Sequence, residues 1–192
     1  MTIKVLILNM YNKPDYAAEM EQNLAQGRRI AFETESYERF DTIDFSRYSH
    51  IMLTGSEFFV PERRVLSRDQ VQHLLDQRKP VLAQCYAFHL LVYYYSAPGH
   101  IGTFRHKHHE YTRIQSPLTP EPRKYFFNHW NYVRPAHLDA DQWDIISTSQ
   151  HNSVCFVVDA VMKHYPVLCL QYHPESSPEN YAFVFKWLFH KF

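Results

Sequence analysis

Two short segments carry residue types that can do covalent chemistry. The first is Pro80-Val-Leu-Ala-Gln-Cys85-Tyr-Ala-Phe-His-Leu-Leu, an apolar run that ends at a cysteine and turns at once into a helical pattern. A sharp strand-to-helix turn of this kind exposes a nucleophile at the top of a sheet. The unsatisfied N–H groups of the following helix favour thiolate over thiol. Elbows of this type want small residues two positions either side of the nucleophile, and here both are alanine, Ala83 and Ala87. The second segment is Val167-Leu-Cys-Leu-Gln-Tyr-His173-Pro-Glu175. Alternate strand residues point the same way, so His173 and Glu175 are expected to share a face, with Pro174 marking the strand's end. A thiolate needs a base, and the base needs an acidic partner to hold its tautomer; Cys85, His173 and Glu175 supply the three roles. Cys85 alone reads equally well as a buried core cysteine, and it is the second segment that favours a site.

Positioning these groups requires parallel strands ending at one edge of a sheet. Ile3–Asn9, Ala31–Tyr37, His50–Leu53 and Pro80–Gln84 read as strands. They alternate with helical patterns from Asp15 to about Gly27, from Ser67 through Val71, Leu74 and Leu75, and from Tyr86 to Tyr95. Strands separated by helices imply crossover units and a parallel sheet. From Ser96 to Val133 the chain reads as Pro-, Gly- and His-rich loops, with short extended pieces near Tyr111–Ile114 and Tyr125–Val133. Ile145–Thr148, Cys155–Val158 and Val167–Tyr172 read as further strands, and Asn180–Phe192 as a closing helix. The expected architecture is an α/β fold, a doubly wound, mostly parallel sheet flanked by helices in one domain over residues 1–192. Ligands are expected at the carboxyl ends of its strands.

Composition narrows the chemistry. The 192 residues hold 45% hydrophobic and 21% charged side chains, enough for one sizeable core. Twenty basic and twenty acidic residues cancel, which leaves no electrostatic footprint for nucleic acid or an anionic membrane. Three cysteines without a CxxC spacing fit neither a disulfide framework nor a cysteine zinc site, and a reduced, cytoplasmic chain is expected. The apolar start Val5–Met10 is too short for a signal-peptide core, and no run is long enough to span a bilayer. No phosphate-binding Gly-rich loop occurs, so no nucleotide cofactor is expected. His106-Lys-His108-His109-Glu110 reads as an exposed polar loop rather than a metal site. His137, His151 and His164 read as surface groups. Cys155 and Cys169 sit in apolar strand-like runs and are expected to be buried and inert, which leaves Cys85 as the one reactive thiol.

The elbow around Cys85 and the segment Gln171-Tyr-His173-Pro-Glu175-Ser together resemble the class I (triad) glutamine amidotransferases. In that family a Gly-x-Cys-x-Gly elbow precedes a Gln-Phe-His-Pro-Glu segment. The resemblance extends through Leu53-Thr-Gly55-Ser-Glu57, similar to the family's glycine-rich loop, and Phe127-Asn128-His129-Trp130-Asn, similar to a substrate-side loop. It implies a flavodoxin-like fold and Cys85 as nucleophile. His173 would be general base and acid, Glu175 its orienter, and the backbone N–H groups of Gly55 and Tyr86 an oxyanion hole. The implied reaction takes the side-chain amide of glutamine through a γ-glutamyl thioester and releases ammonia, commonly to a synthase partner. Three positions depart from the family pattern: His89 where Gln is usual, Glu57 where a second glycine is usual, and Trp130 where a small residue is common. They are expected to reshape a pocket lined by Glu57, His89, Asn128, His129 and Trp130, with Glu57 and His89 forming an imidazolium–carboxylate pair that raises the His89 pKa. A stand-alone γ-glutamyl amide or peptide hydrolase, and a catalytically silent binding or regulatory subunit, remain as alternatives.

Overall fold

The central sheet runs in the order β2-β1-β3-β4-β9-β8-β7. A computed structural model describes residues 3–25, 30–118, 121–176 and 180. Strands β1 (Ile3–Asn9), β2 (Ile30–Ser36), β3 (His50–Leu53), β4 (Val81–Gln84) and β9 (Val167–Leu170) are parallel. Strands β7 (Trp143–His151) and β8 (Val154–Met162) complete one edge in antiparallel pairing. This is the doubly wound, mostly parallel arrangement the alternating pattern implies. The apolar runs are continuous because both faces are covered. Leu6, Leu8, Ile51, Leu53, Val81, Ala83 and Cys169 face α2 (Arg68–Asp76) and α3 (Tyr86–Tyr95). Val5, Ile7, Met52, Leu82, Leu168 and Leu170 face α1 (Pro14–Ala25), which contributes Ala17, Met20 and Leu24.

Helix α2 begins where Ser67 and Gln70 form a reciprocal capping box, an arrangement whose N-cap is typically worth about 1 kcal/mol. The stop expected at Gly27 and all of the closing helix beyond Asn180 lie outside the described residues.

The region read as loops is instead a long antiparallel hairpin, β5 (Ile101–Ile114) paired with β6 (Arg123–Val133). It forms its own two-stranded sheet, separate from the main one. The segment His106–Glu110 is therefore strand, not loop. The hairpin packs Phe104, Ile114, Tyr125, Phe127 and Tyr132 against the α1 face of the sheet, and Phe126 makes an isolated bridge to His173. A Cβ at Gly102 would stand 2.4 Å from the Tyr132 ring, so only glycine fits that crossing.

Candidate active site

Cys85 occupies the turn between β4 and α3 at φ 48° and ψ −102°, a left-handed conformation that non-glycine residues rarely adopt. Holding it costs about 1–3 kcal/mol, which the surrounding contacts must offset. Its N–H donates to Leu170 O on the neighbouring strand (2.7 Å), and its carbonyl accepts from His89 N (3.1 Å), closing the first turn of α3. Fully buried Ala83 and Ala87 leave room for this turn. The helix has no side-chain cap at Cys85, so its first N–H groups are left free at the Cys85 end.

Strand β9 lies beside β4, with Gln84 opposite Leu170, and this register sets the second segment against the first. His173 N donates to Phe126 O (2.9 Å) on the hairpin. The chain then enters a single 3-10 turn, Pro174–Ser176, in which Ser176 Oγ donates to His173 O (2.7 Å). The turn, rather than strand alternation, brings Glu175 Oε1 to 2.9 Å from His173 Nδ1. Among the described residues the buried His173 Nε2 makes no hydrogen bond of ordinary geometry. Burial is the largest single influence on His173 and pushes its pKa down. The Glu175 charge, the Glu175 hydrogen bond and the nearby Cys85 sulfur together outweigh it and lift the pKa to about 10.

Cys85, Tyr86, His89 and His173 open into one cavity of about 420 Å³, with Glu57 and the β6 residues Asn128, His129 and Trp130 on its walls. Every side chain singled out from the sequence for substrate binding is brought to this cavity. Gly55 borders it: a Cβ there would lie 3.0 Å from His173 Cε1 and 2.7 Å from Tyr11 Oη, so the close approach requires glycine. The backbone N–H groups of Gly55 and Tyr86 make no hydrogen bond among the described residues.

The expected pair between Glu57 and His89 does not form. Glu57 Oε1 accepts from Asn12 N (3.0 Å), and His89 Nε2 lies 2.7 Å from Gln171 Oε1. Burial then pulls the His89 pKa down to about 4, against the modest opposing effect of Gln171. A neutral His89 donates to Gln171, which turns its own amide N–H toward Cys85 Sγ (3.8 Å). His89 thus orients a group beside Cys85.

Gln171 and Tyr11 were not singled out from the sequence. Tyr11 had one available signal, its place directly after the carboxyl end of β1. Its hydroxyl has no hydrogen-bond partner among the described residues and lines the cavity. Burial, then the charges of Glu175, Cys85 and Glu57, hold it well above the usual tyrosine range, so it stays a protonated donor.

Cys169 is fully buried and its thiol is pushed up by burial, as the apolar run implies. Cys155 departs from expectation: it is exposed on β8, because the outer face near the end of this strand is uncovered. Brief alkylation of the native protein is therefore expected to label Cys155 and Cys85 and spare Cys169. In a Cys155→Ser variant the label should reach Cys85 alone. Peptide mapping checks this, and labelling of Cys169 in the folded variant would contradict it. His151 also departs from its surface reading, since its ring stacks on His108 at 4.1 Å between centroids. His164 is exposed as expected, and His137 is half-buried, its Nδ1 3.3 Å from His100 O.

The family model for class-I glutamine amidotransferases matches residues 14–191. No curated protein matches the chain. Among solved structures, a Thermoplasma acidophilum protein proposed to belong to a GMP synthase superposes with a TM-score of 0.76 at 13% identity, covering 98% of this chain and 93% of that one. A glutamine amidotransferase from Thermotoga maritima superposes with a TM-score of 0.64 at 13% identity, covering 97% and 82%. At such identities the superpositions speak to the fold. Among the described residues, no helix is long and apolar enough to cross a membrane.

Proposed function

The chain belongs to the class-I glutamine amidotransferase family, and from that premise we propose that it is a Cys-His-Glu amidase acting on the side-chain amide of glutamine or a related γ-glutamyl compound. The observation that carries this reading is the strained Cys85 elbow opening into the same cavity as the His173–Glu175 pair.

The Cys85 thiolate attacks the amide carbonyl while its proton rests on His173, held by Glu175. The N–H groups of Gly55 and Tyr86 receive the charge that develops on the carbonyl oxygen, usually the largest electrostatic contribution in acyl transfer. Collapse of the tetrahedral intermediate breaks the C–N bond as His173 gives its proton to the leaving nitrogen, releasing ammonia and leaving a γ-glutamyl thioester. Neutral His173 then takes a proton from water, the hydroxide equivalent attacks the thioester, and glutamate leaves as the thiolate reforms. The whole chain acts as one domain in this reading. The three cysteines, none in a disulfide, suit a reducing cytoplasm.

Release of ammonia to a synthase partner is the first form of the proposal, supported by the fold shared with the proposed GMP synthase component. A stand-alone hydrolase of larger γ-glutamyl amides is the second. It is favoured by a cavity walled by Tyr11, Phe58, Phe59 and Trp130, apolar surface that a bare glutamine does not need. Steady-state hydrolysis of glutamine against γ-glutamyl peptides by the isolated protein separates the two: preference for the peptides supports the second. No turnover of either by the isolated protein, and no acyl-enzyme seen by intact mass, would leave a subunit active only with its synthase partner or the silent-subunit reading, which turnover on adding that partner separates.

Tyr11 Oη sits on the Gly55 side of the cavity and is proposed to donate to the developing oxyanion alongside the backbone. Tyr11→Phe is expected to lower kcat about tenfold to a hundredfold with little change in KM, since only an interaction stronger in the transition state changes kcat in this way. An unchanged kcat would remove Tyr11 from the mechanism.

A further inference from the structure

Away from the amidase cavity, the hairpin and the end of β7 bring three metal-ligating side chains together. His108 Nε2 lies 3.3 Å from Glu110 Oε1, and His151 Nδ1 lies 3.5 Å from the same oxygen. All three donor atoms fall within 4.8 Å of one another. Bonds of about 2.0–2.1 Å around a tetrahedral ion place neighbouring ligand atoms about 3.3 Å apart. His108 is 1% exposed, His151 is half-buried and Glu110 reaches solvent, so the cluster has a buried floor and an open side.

The hydrogen bonds behind His108 decide which of its nitrogens is available. His129 Nδ1 lies 2.6 Å from Asn131 O, which can only accept, so His129 donates from Nδ1. As a neutral ring donating from Nδ1, His129 presents Nε2 as an acceptor. His108 Nδ1, 3.1 Å away, must therefore donate to it, and the His108 lone pair falls on Nε2. A nitrogen lone pair and a carboxylate oxygen thus face each other at 3.3 Å. Thr112 Oγ1 lies 3.0 Å from the same nitrogen and can donate to it until a cation takes that lone pair.

We propose that His108, Glu110 and His151 bind one divalent transition-metal ion, zinc or another that accepts two imidazole nitrogens and a carboxylate, and that the ion staples the hairpin to the β7 edge of the main sheet. The donor set suits zinc, with a fourth position left to water. The His129–Asn131 relay supplies the outer support that a ligating imidazole requires. Lone pairs in two rings only 12° from parallel do not meet at one point, so binding turns the His151 ring out of its stack on His108. The ring also meets Phe104 edge-on at 5.0 Å between centroids, and exposed Asn152 can present its amide oxygen to His151 Nε2 and leave Nδ1 as the ligand. Among the described residues the hairpin shares no ladder with the main sheet beyond the Phe126–His173 bridge, and its strand β6 carries Asn128, His129 and Trp130 into the amidase cavity. The ion would fix that wall from behind.

The test titrates chelator-treated protein with Co2+ and follows visible absorption, intense for a four-coordinate site. One equivalent per chain is expected, displaced by Zn2+. Glu110→Gln and His151→Ala, both at the open side of the cluster, are each expected to weaken binding at least tenfold. Cys85→Ser and Cys155→Ser are expected to leave it unchanged. A lack of saturable binding at one equivalent, binding indifferent to both ligand variants, or binding lost with either cysteine would overturn the proposal.

Discussion

Replacing Cys85 by alanine is expected to abolish amide hydrolysis, by at least about a thousandfold and down to the background set by substrate binding and oxyanion donors alone. The fold should survive, because alanine keeps a Cβ of the same kind in the same left-handed turn. Glycine at this position makes a sharper test. At φ 48° a side chain is strained and glycine is not. Cys85→Gly is therefore expected to be as inactive as Cys85→Ala but more stable than it, by about 1 kcal/mol, or roughly 2–4 °C in Tm for a chain of this size. Activity assays and thermal melts on the three proteins check both halves. A Cys85→Gly protein less stable than Cys85→Ala would mean that the strain is not held at this residue. Retained hydrolysis in either variant would remove Cys85 from the chemistry. The pairing of a functional loss with a stability gain is expected wherever a backbone is strained to present a reactive group.

The parallel half of the fold is legible because its signals are local and redundant. Val5–Leu8 is buried on both faces and reads as an unbroken apolar run. Ser67 and Gln70 cap a helix within four residues, and the step from Gln84 through Cys85 to α3 stands in one segment. The hairpin is hidden because the buried face of β5 carries few apolar residues. Its buried residues are Phe104, His108 and Ile114, and a register shift falls between Thr103 and His108. Burying histidine at the middle of these positions makes the strand look polar. The partner of Glu57 is hidden for a related reason. Asn12 N is a backbone donor from the β1 loop, and no side-chain pattern announces a backbone donor. His89 reaches the cavity as its spacing implies, but its protonation depends on complete burial, which the polar letter itself does not convey. Position follows from spacing; charge state follows from packing.

Glu175→Gln should show how much of the catalytic poise is electrostatic. Glutamine preserves the shape and can still accept a hydrogen bond from His173 Nδ1, but it removes the negative charge. In the parent, burial disfavours the imidazolium, and the Glu175 charge is the largest influence opposing it. Without that charge the His173 pKa should fall well below about 10, leaving the imidazolium less populated at neutral pH. Hydrolysis is expected to drop about a hundredfold to ten-thousandfold, the upper end being the cost of a lost tautomer-orienting carboxylate in other triads. The stability consequence has a definite sign. A histidine whose folded pKa is raised contributes stability that is fully present below its unfolded value of 6.5 and is lost as pH rises through about 10. The parent should therefore lose stability between those two values in a way that Glu175→Gln does not. Ring-proton titration of His173, the pH–rate profile and melts at pH 6 and pH 10 read the three effects separately. A His173 titration left in place by the substitution would show that Glu175 acts by geometry alone. A drop in hydrolysis with His173 shifted down would place its main effect in charge.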